Sequence, residues 1–469
     1  DAEMVGKNEQ ALCKLRGAKI GMIFQEPMTA LNPVMAIGDQ VSETLLLHKR
    51  LTLQKAKAEA QNILERVELG ANVVSPERFP HELSGGQRQR VVIAIAIAMK
   101  PSLLIADEPT TALDVTTQSQ IIKLLKNLVK KDNMAMLIIT HDLAVVADIA
   151  DNIAVMRKGE IVENAPTHKL FSEMQHFYTK SLFTASKHTV EIQRPVNQPK
   201  KLLNVKNLTH RYKIHSSHPF ALSKYFTAID NVSFNIGDGE RVGLVGESGC
   251  GKSTLTRAVL GLEPFEKGEI TFDGHTIAGA KADIRRQIQV IFQDPYGSFN
   301  PRHKVVRLVC EPLFLLKNKP TNKHANQMVE QVLIDVGLTK KDKYKYIHEF
   351  SGGQRQRIAI ARALIIKPKL IIFDEAVSSL DVTVRVQILN LIAKLTKEYG
   401  LSYLFISHDL SVVRSITDRC LVMRNGKIVE EGPTTQVLIK PEKPYTQSLL
   451  DATPKLPYIK QGEVSDAPS

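Results

Sequence analysis

The sequence predicts an α/β protein that contains two copies of a doubly wound, mainly parallel sheet. The chain repeats itself in register: Ser84 returns as Ser351 and His141 as His408, at a constant offset of 267 residues (351 − 84 and 408 − 141). Short apolar runs also alternate with stretches of helical length. This alternation is typical of strand–helix–strand units in a parallel sheet, and the constant offset indicates a duplicated domain.

The second copy shows the alternation most clearly. Its predicted strands are Arg241–Val245, Leu370–Phe373 and Tyr403–Ile406. Its predicted helices are Lys252–Leu262, Gln354–Ile366 and Val384–Glu398. We expect the polar groups that follow these strands to meet at the carboxyl edge of the sheet, where ligands bind in folds of this class.

The repeat also predicts the domain boundaries. We expect a first domain at residues 1–185, a polar, proline-bearing linker at 186–201, a second domain at 202–460 and a polar tail at 461–469. The second copy contains a GxxxxGK[ST] segment with a strand leading into it, whereas the first copy contains neither. We therefore expect the first domain to be truncated and Asp1 to be an internal residue of a longer protein.

Composition narrows the class of protein. Of the 469 residues, 43% are hydrophobic and 24% are charged, which excludes large-scale disorder. The net charge of +13 suits an anionic membrane surface, and because no dense basic run is interleaved with aromatic residues, we expect no nucleic-acid partner. The four cysteines form no CxxC pair, and no apolar stretch reaches membrane-spanning length.

The glycine-rich segment before the first long helix of the second copy predicts a phosphate-binding loop. Glycines permit the turns that aim backbone N–H groups at a phosphate, and the helix dipole points at the same place. Lys252 would reach the terminal phosphates and Ser253 would bind Mg²⁺. We expect the pKa of Cys250 to be lowered by the helix and by Lys252. The predicted loop comprises Gly246, Glu247, Ser248, Gly249, Cys250, Gly251, Lys252, Ser253 and Thr254.

Two carboxylates close the predicted strand at 370–373. Asp374 stands where a second Mg²⁺ ligand is expected, at the carboxyl end of a buried parallel strand. Glu375 beside it would orient or deprotonate the attacking water. A DE pair after a strand also serves as a helix cap, but the phosphate loop upstream favours catalysis.

Taken together, these motifs resemble ABC transporter ATPases over nearly the whole chain. LSGGQ at residues 83–87 and FSGGQ at 350–354 resemble the signature of that family, Gln25 and Gln293 its Q-loop glutamines, and His141 and His408 its switch histidines. Asp114 resembles a D-loop aspartate. The resemblance implies two P-loop NTPase domains of the ABC type, each with a helical subdomain.

The resemblance also implies a site shared between domains. ATP would lie between the phosphate loop of one domain and the signature of the other, here Ser84, Gly85, Gly86 and Gln87 with Asp114 nearby. Gln293 would sense and bind Mg²⁺ with Ser253 and Asp374, and His408 would hold the γ-phosphate and the water. Tyr212 would stack on adenine, with Tyr225 and Phe226 as alternatives. We expect at most one bound ATP per chain.

A finer resemblance is to fused two-domain ATPases of peptide, nickel, glutathione and microcin importers. IFQEPMTALNPV and the repeated YTxSL tails carry it. It implies uptake of a peptide-like solute with two transmembrane permease subunits and an extracytoplasmic solute-binding protein, at the cytoplasmic face of the inner (plasma) membrane. Permease docking would use residues 28–80 and 296–346. The alternatives are a tandem ABC ATPase acting on ribosomes, or a non-catalytic remnant.

Overall fold

The computed structural model describes residues 3–111, 113–187, 190, 200–214, 224–277, 282–378, 380–454 and 456. The chain divides into two compact units. The first unit contains residues 1–186 together with 453–469, and the second contains residues 187–452. Most of the predicted linker and the predicted tail at 461–469 lie outside the described residues.

The first unit contains five strands and nine helices among its described residues. The strands are β1 (Ile20–Ile23), β2 (Leu103–Asp107), β3 (Ala135–Ile139), β4 (Asn152–Arg157) and β5 (Glu160–Pro166). The helices are α1 (Glu9–Leu15), α2 (Pro27–Ala30), α3 (Ile37–His48), α4 (Leu53–Arg66), α5 (Gly85–Ile97), α6 (Val115–Asp132), α7 (Leu143–Ile149), α8 (Thr167–Ser172) and α9 (Phe177–Lys187).

The sheet of the first unit is a short parallel one. Its order is β1-β2-β3, and β4 and β5 form a separate antiparallel hairpin. Leu137 and Ile139 on β3 are about half exposed. The core lies on the other side of the sheet, where α3, α4 and α5 bury an apolar cluster that includes Ile37, Leu64 and Ile93.

The second unit contains ten strands and nine helices among its described residues. The strands are β6 (Lys201–Ile214), β7 (Lys224–Gly237), β8 (Arg241–Val245), β9 (Lys267–Phe272), β10 (His275–Thr276), β11 (Ile288–Ile291), β12 (Leu370–Asp374), β13 (Ser402–Ile406), β14 (Arg419–Arg424) and β15 (Lys427–Pro433). The helices are α10 (Lys252–Val259), α11 (Ala282–Gln287), α12 (Val305–Cys310), α13 (Asn322–Asp335), α14 (Gly352–Leu364), α15 (Val382–Tyr399), α16 (Leu410–Ile416), α17 (Thr434–Val437) and α18 (Pro444–Ala452).

Two sheets form the frame of the second unit. The six-stranded sheet has the order β11-β12-β13-β8-β14-β15, in which every pair is parallel except β14 with β15. Its central strands β8 and β13 are buried at every position. A second, antiparallel sheet has the order β10-β9-β6-β7. The two apolar clusters of this unit cover the two faces of the six-stranded sheet, because alternate residues of β12 and β13 belong to different clusters.

The observed elements agree with the predicted α/β class. The predicted strand Arg241–Val245 is β8, and the other two predicted strands differ from β12 and β13 by one residue. The helical subdomain of this unit is built from α12, α13 and α14, which pack on one another. Among the described residues, no helix is both long enough and apolar enough to cross a membrane.

Candidate nucleotide site

The phosphate loop (residues 246–254) lies between β8 and α10, as its spacing predicts. Gly246, Gly249 and Gly251 all have positive φ, of 154°, 77° and 111°. A Cβ on Gly246 would lie 2.2 Å from the backbone oxygen of Met423, and one on Gly251 would lie 2.4 Å from that of Ala228. Only glycine combines these angles with such close backbone approach, so the glycines set the path of the loop.

Lys252 places a buried cation at this loop. Its side chain donates to the backbone oxygens of Gly246 at 2.7 Å and Glu247 at 2.9 Å. The residue is only 7% exposed, and it forms no ion pair with any of the described residues. A buried ammonium held by two carbonyl groups and by the Cys250 sulfur at 3.9 Å is costly without an anion. The arrangement therefore suits a phosphate ligand.

Asp374 ends β12 and Glu375 follows it, at the edge of the sheet where the phosphate loop begins. Burial is the main cause that raises the pKa of Asp374, helped by the neighbouring charge of Glu375 and opposed by Lys252. A carboxylate desolvated in this way gains from a cation beside it. Glu375 has a left-handed backbone with φ of 51°, and its N–H donates to the oxygen of Ile406 on the adjacent strand at 3.0 Å.

His408 lies directly beside Glu375. Its Nδ1 is 3.4 Å from the Oε2 of Glu375. Burial opposes ionisation of this carboxyl, but the hydrogen bond and charge of His408, with Lys252, still hold the pKa of Glu375 below its usual value. Glu375 is therefore a carboxylate at neutral pH. It can accept a hydrogen bond from water but is a weak proton acceptor.

Gln293 and Asp374 line one cleft of about 830 Å³ at the end of β11 and β12. Arg362 of α14 and Pro312 line the same cleft. Ser253 is exposed at the start of α10 and does not line this cleft. The structure thus brings Gln293 and Asp374 together, while Ser253 stands on the phosphate loop beside Lys252.

Tyr212 lies on β6, and its hydroxyl oxygen is 3.4 Å from that of Thr254 on α10. It packs edge-on against His210 with ring centroids 4.7 Å apart. Tyr225 and Phe226 lie on the neighbouring strand β7, about half exposed, with Phe226 paired to Tyr212. Of these three candidates, Tyr212 is the one with a contact to the phosphate loop in the described part of the chain, and its role toward adenine remains a prediction.

The prediction of a lowered Cys250 pKa is wrong. The residue is only 6% exposed, and burial raises the pKa of its thiol, although Lys252 acts in the opposite direction. The sequence indicated the nearby positive charge but not the desolvation. The sulfur lies beneath the loop, where a Cβ on Gly246 would meet it at 2.8 Å.

The corresponding carboxylate of the first unit, Glu108, is held by three side chains. Its Oε2 accepts from Gln25 and from Thr111, both at 2.7 Å, and its Oε1 is 3.1 Å from Nδ1 of His141. The His141 hydrogen bond is the largest cause that lowers the pKa of Glu108 to about 2. Glu108 also has a left-handed backbone, with φ of 44°.

The predicted signature residues form the start of α5. Ser84 caps the helix: its Oγ accepts from the Gln87 N–H at 3.3 Å, and its own N–H donates to the Gln87 side chain at 3.0 Å. Gly85 and Gly86 begin the helix, and a Cβ on Gly86 would lie 2.5 Å from Thr117 of α6. Asp114 caps α6 by accepting from the N–H of Thr117 at 3.0 Å.

One contact of the phosphate loop is missing from the sequence prediction. The N–H of Glu247 donates to the hydroxyl of Tyr445, on α18, at 3.2 Å. Tyr445 belongs to the PYTQSL segment, which repeats FYTKSL of the first copy. The repeated tyrosine was a signal in the sequence, but its partner lies 198 positions away, and sequence periodicity does not indicate such a contact.

The fold and the arrangement of Lys252, Asp374, Glu375 and His408 define an ATP-binding cassette, and comparison with known proteins agrees. The family model described as ABC transporter matches residues 4–111 and 229–378. The model described as oligopeptide/dipeptide transporter, C-terminal region, matches residues 429–467. The chain belongs to the ABC transporter ATPase family, and it is an ATP-binding and ATP-hydrolysing protein.

The chain is similar to proteins named glutathione import ATP-binding protein GsiA. That of Pectobacterium atrosepticum is 45% identical over 96% of this chain and 77% of its own length. That of Salmonella choleraesuis is 44% identical over 96% of this chain and 77% of its own. Among solved structures, dimeric ATP-binding cassette MJ0796, bound to ADP and Pi, is 28% identical, with a TM-score of 0.45 over 50% of this chain and 99% of its own.

Proposed function

We propose that the chain is the energy-coupling subunit of an importer for a peptide-like solute of the glutathione class. The names of its relatives and the match to an oligopeptide transporter C-terminal region support this cargo class. The main structural support for ATP hydrolysis by this site is Lys252. It is a buried cation without an ion-pair partner among the described residues, and it lies beside Asp374 and Glu375.

The partners would be two transmembrane permease subunits and an extracytoplasmic solute-binding protein. The chain would work at the cytoplasmic face of the inner membrane as a peripheral subunit. We propose that permeases dock on the helical segments at residues 28–80 and 296–346. The cleft shared by Gln293 and Asp374 supports this proposal, because a shift of the glutamine could be passed to the adjoining helical subdomain.

The substrate ATP would be bound by the phosphate loop. Lys252 and the N–H groups at the start of α10 would hold the β- and γ-phosphates, and Tyr212 would stack on adenine. Ser253, Asp374 and Gln293 offer oxygen ligands of the kind that Mg²⁺ prefers, and a cation would stabilise the carboxylate of Asp374, whose pKa is raised by burial. Bound Mg²⁺ would neutralise charge on the transferred phosphoryl group.

Hydrolysis would depend on Glu375 and His408. The carboxylate of Glu375 accepts a hydrogen bond from water and orients its oxygen toward the γ-phosphorus. His408 keeps this carboxylate ionised and positioned, and it can also hold the γ-phosphate. The water oxygen would bond to the γ-phosphorus as the bond from that phosphorus to the β-phosphate oxygen breaks. ADP would keep the electron pair of the broken bond, and the water protons would leave with the phosphate product or pass to solvent. Positioning and charge neutralisation account for most of catalysis in this reaction class.

We also propose that the signature segment (residues 84–87) completes an ATP-binding site by contacting the γ-phosphate. Ser84, Gly85, Gly86 and Gln87 present a capped helix start with small residues, which can approach the γ-phosphate closely. Asp114 caps α6 and bonds to Thr117, which packs against Gly86, so it would stabilise the position of the signature segment. Replacing Gly86 by Ala should slow hydrolysis, since the added Cβ would push the helix start away from Thr117.

The test is ATPase activity of the purified full chain with Glu375→Gln against Glu398→Gln. The first substitution removes the charge that orients water and should lower kcat at least about 100-fold with ATP still bound. Glu398 is an exposed residue of α15, so the same chemical change there should leave activity within about twofold. Equal activity of the two variants would refute the assignment.

Cargo and partners need a separate measurement. The chain should co-purify with membrane permeases and support ATP-dependent uptake of glutathione or short peptides into vesicles that contain them. Sedimentation with ribosomes, without permease binding, would instead favour the ribosomal alternative. A wild-type chain without ATPase activity would favour the non-catalytic alternative.

A further inference from the structure

The hydroxyl of Tyr445 holds the first turn of the phosphate loop from outside the nucleotide site. It accepts the N–H of Glu247 at 3.2 Å, while Lys252 donates to the carbonyl groups of Gly246 and Glu247. The guanidinium carbon of Arg424 lies 4.6 Å from the centre of the Tyr445 ring. The tyrosine is 8% exposed, so its position is set by packing.

The helix that carries Tyr445 is fixed at its start by one carboxylate. Glu430 of β15 accepts from the N–H groups of Glu442 and Lys443 at 2.8 and 3.3 Å. It also accepts from the side chain of Thr446, which is fully buried. The carboxylate therefore ties α18 to the β14–β15 hairpin. The same hairpin supports the loop directly, because the N–H of Gly426 donates to the oxygen of Cys250 at 2.9 Å.

The first unit contains the same anchor without the loop contact. Glu163 accepts from the N–H groups of Gln175 and His176 at 2.7 and 3.2 Å, and Arg157 lies 4.9 Å from the ring centre of Tyr178. Each of these residues is the counterpart of one above at the offset of 267. Within the described part of the chain, no hydrogen bond reaches the Tyr178 hydroxyl. Tyr178 is thus a matched internal reference for Tyr445.

We propose that Tyr445 is a positioning residue for nucleotide binding, which fixes the Gly246–Glu247 turn so that the phosphate loop is preorganised before ATP arrives. The inference rests on the proposed ATPase function of this loop. Two of the three N–H groups of the Lys252 ammonium donate to the loop carbonyls. To engage several phosphate oxygens it must release at least one of them. The Tyr445 contact uses the Glu247 N–H and not the Lys252 ammonium, so it can persist when Lys252 turns to the ligand.

The test compares Tyr445→Phe with Tyr178→Phe in the full chain. Phenylalanine keeps the ring under the arginine and removes only the hydroxyl. Tyr445→Phe should raise the Kd for ADP and the KM for ATP by about 2- to 10-fold, the effect of one neutral hydrogen bond, with kcat within twofold of wild type. Without nucleotide, the amide of Glu247 should also exchange hydrogen faster by a similar factor. Tyr178→Phe should leave the Kd for ADP, the KM for ATP and the Glu247 exchange rate unchanged.

If the Tyr445 hydroxyl only stabilised the fold, Tyr445→Phe would lower the melting temperature without raising KM selectively over kcat. The inference is overturned if Tyr445→Phe leaves both KM and Glu247 exchange within twofold of wild type, if it lowers kcat alone, or if Tyr178→Phe gives the same shift. A wild-type chain that binds no ADP would count against the proposed function, and the Glu247 exchange comparison would still test the contact.

Discussion

Alanine substitutions at two glycines of the phosphate loop, Gly249 and Gly251, should lower the stability of the second unit by different amounts. Gly251 has φ of 111°, and an added Cβ would lie 2.4 Å from the backbone oxygen of Ala228, which cannot rotate away. Gly249 has φ of 77°, and its Cβ would meet nothing within 4 Å. Both alanine variants lose the left-handed freedom of glycine, at about 1 kcal/mol. Only Gly251→Ala adds a clash, at about 1–3 kcal/mol.

The assay is unfolding of the nucleotide-free full chain, followed by a probe specific to the second unit such as hydrogen exchange at β8. Gly249→Ala should lower the melting temperature of this unit by about 2–4 °C and Gly251→Ala by about 5–15 °C, because 1 kcal/mol corresponds to roughly 2–4 °C at this size. Equal shifts for the two variants would refute the argument, which assigns the larger loss at Gly251 to the clash of its Cβ with the Ala228 oxygen.

Two further predictions concern titrating groups. The pKa of Glu108 is lowered to about 2, first by the His141 hydrogen bond, so its contribution to stability is complete above the usual value of 4.5 and is lost as pH falls toward 2. His141→Gln should therefore flatten the fall in urea midpoint across that range, and an unchanged slope would contradict this. Because burial raises the pKa of Cys250 whereas Cys13 is exposed, iodoacetamide near pH 8 should modify Cys13 first, as mass spectrometry would show; faster reaction at Cys250 would contradict it.

The sequence predicts the parallel sheet well because its central strands are buried on both faces. Within β8, β12 and β13 the runs at residues 242–245, 370–373 and 403–406 carry no charged side chain, and each is followed by residues that the site uses. A parallel strand that is buried on both faces has such an apolar run in its sequence whichever strands lie beside it. The predicted phosphate loop, Asp374, Glu375 and His408 lie at one edge for the same reason.

The antiparallel sheet was not predicted. Strands β6 and β7 are interrupted by register shifts, so their alternation of apolar and polar residues is broken. The start of α14 was predicted two residues late, at Gln354, since the glycines that begin it have low helix propensity. Two glycines also begin α5, where the Ser84 cap compensates for them. The Tyr445 contact and the desolvation of Cys250 depend on tertiary packing, which periodicity does not encode.

The left-handed backbone at Glu108 and Glu375 has a consequence for how this protein tolerates change. A glutamate in that conformation costs about 1–3 kcal/mol, and a glycine at either position would relax the chain. The duplicated halves nevertheless carry the acidic side chain in both places. At Glu375 the relaxed backbone would come without the carboxylate that orients water, and at Glu108 it would come without the hydrogen bonds to Gln25, Thr111 and His141. The backbone strain at both positions is therefore retained together with the acidic side chain.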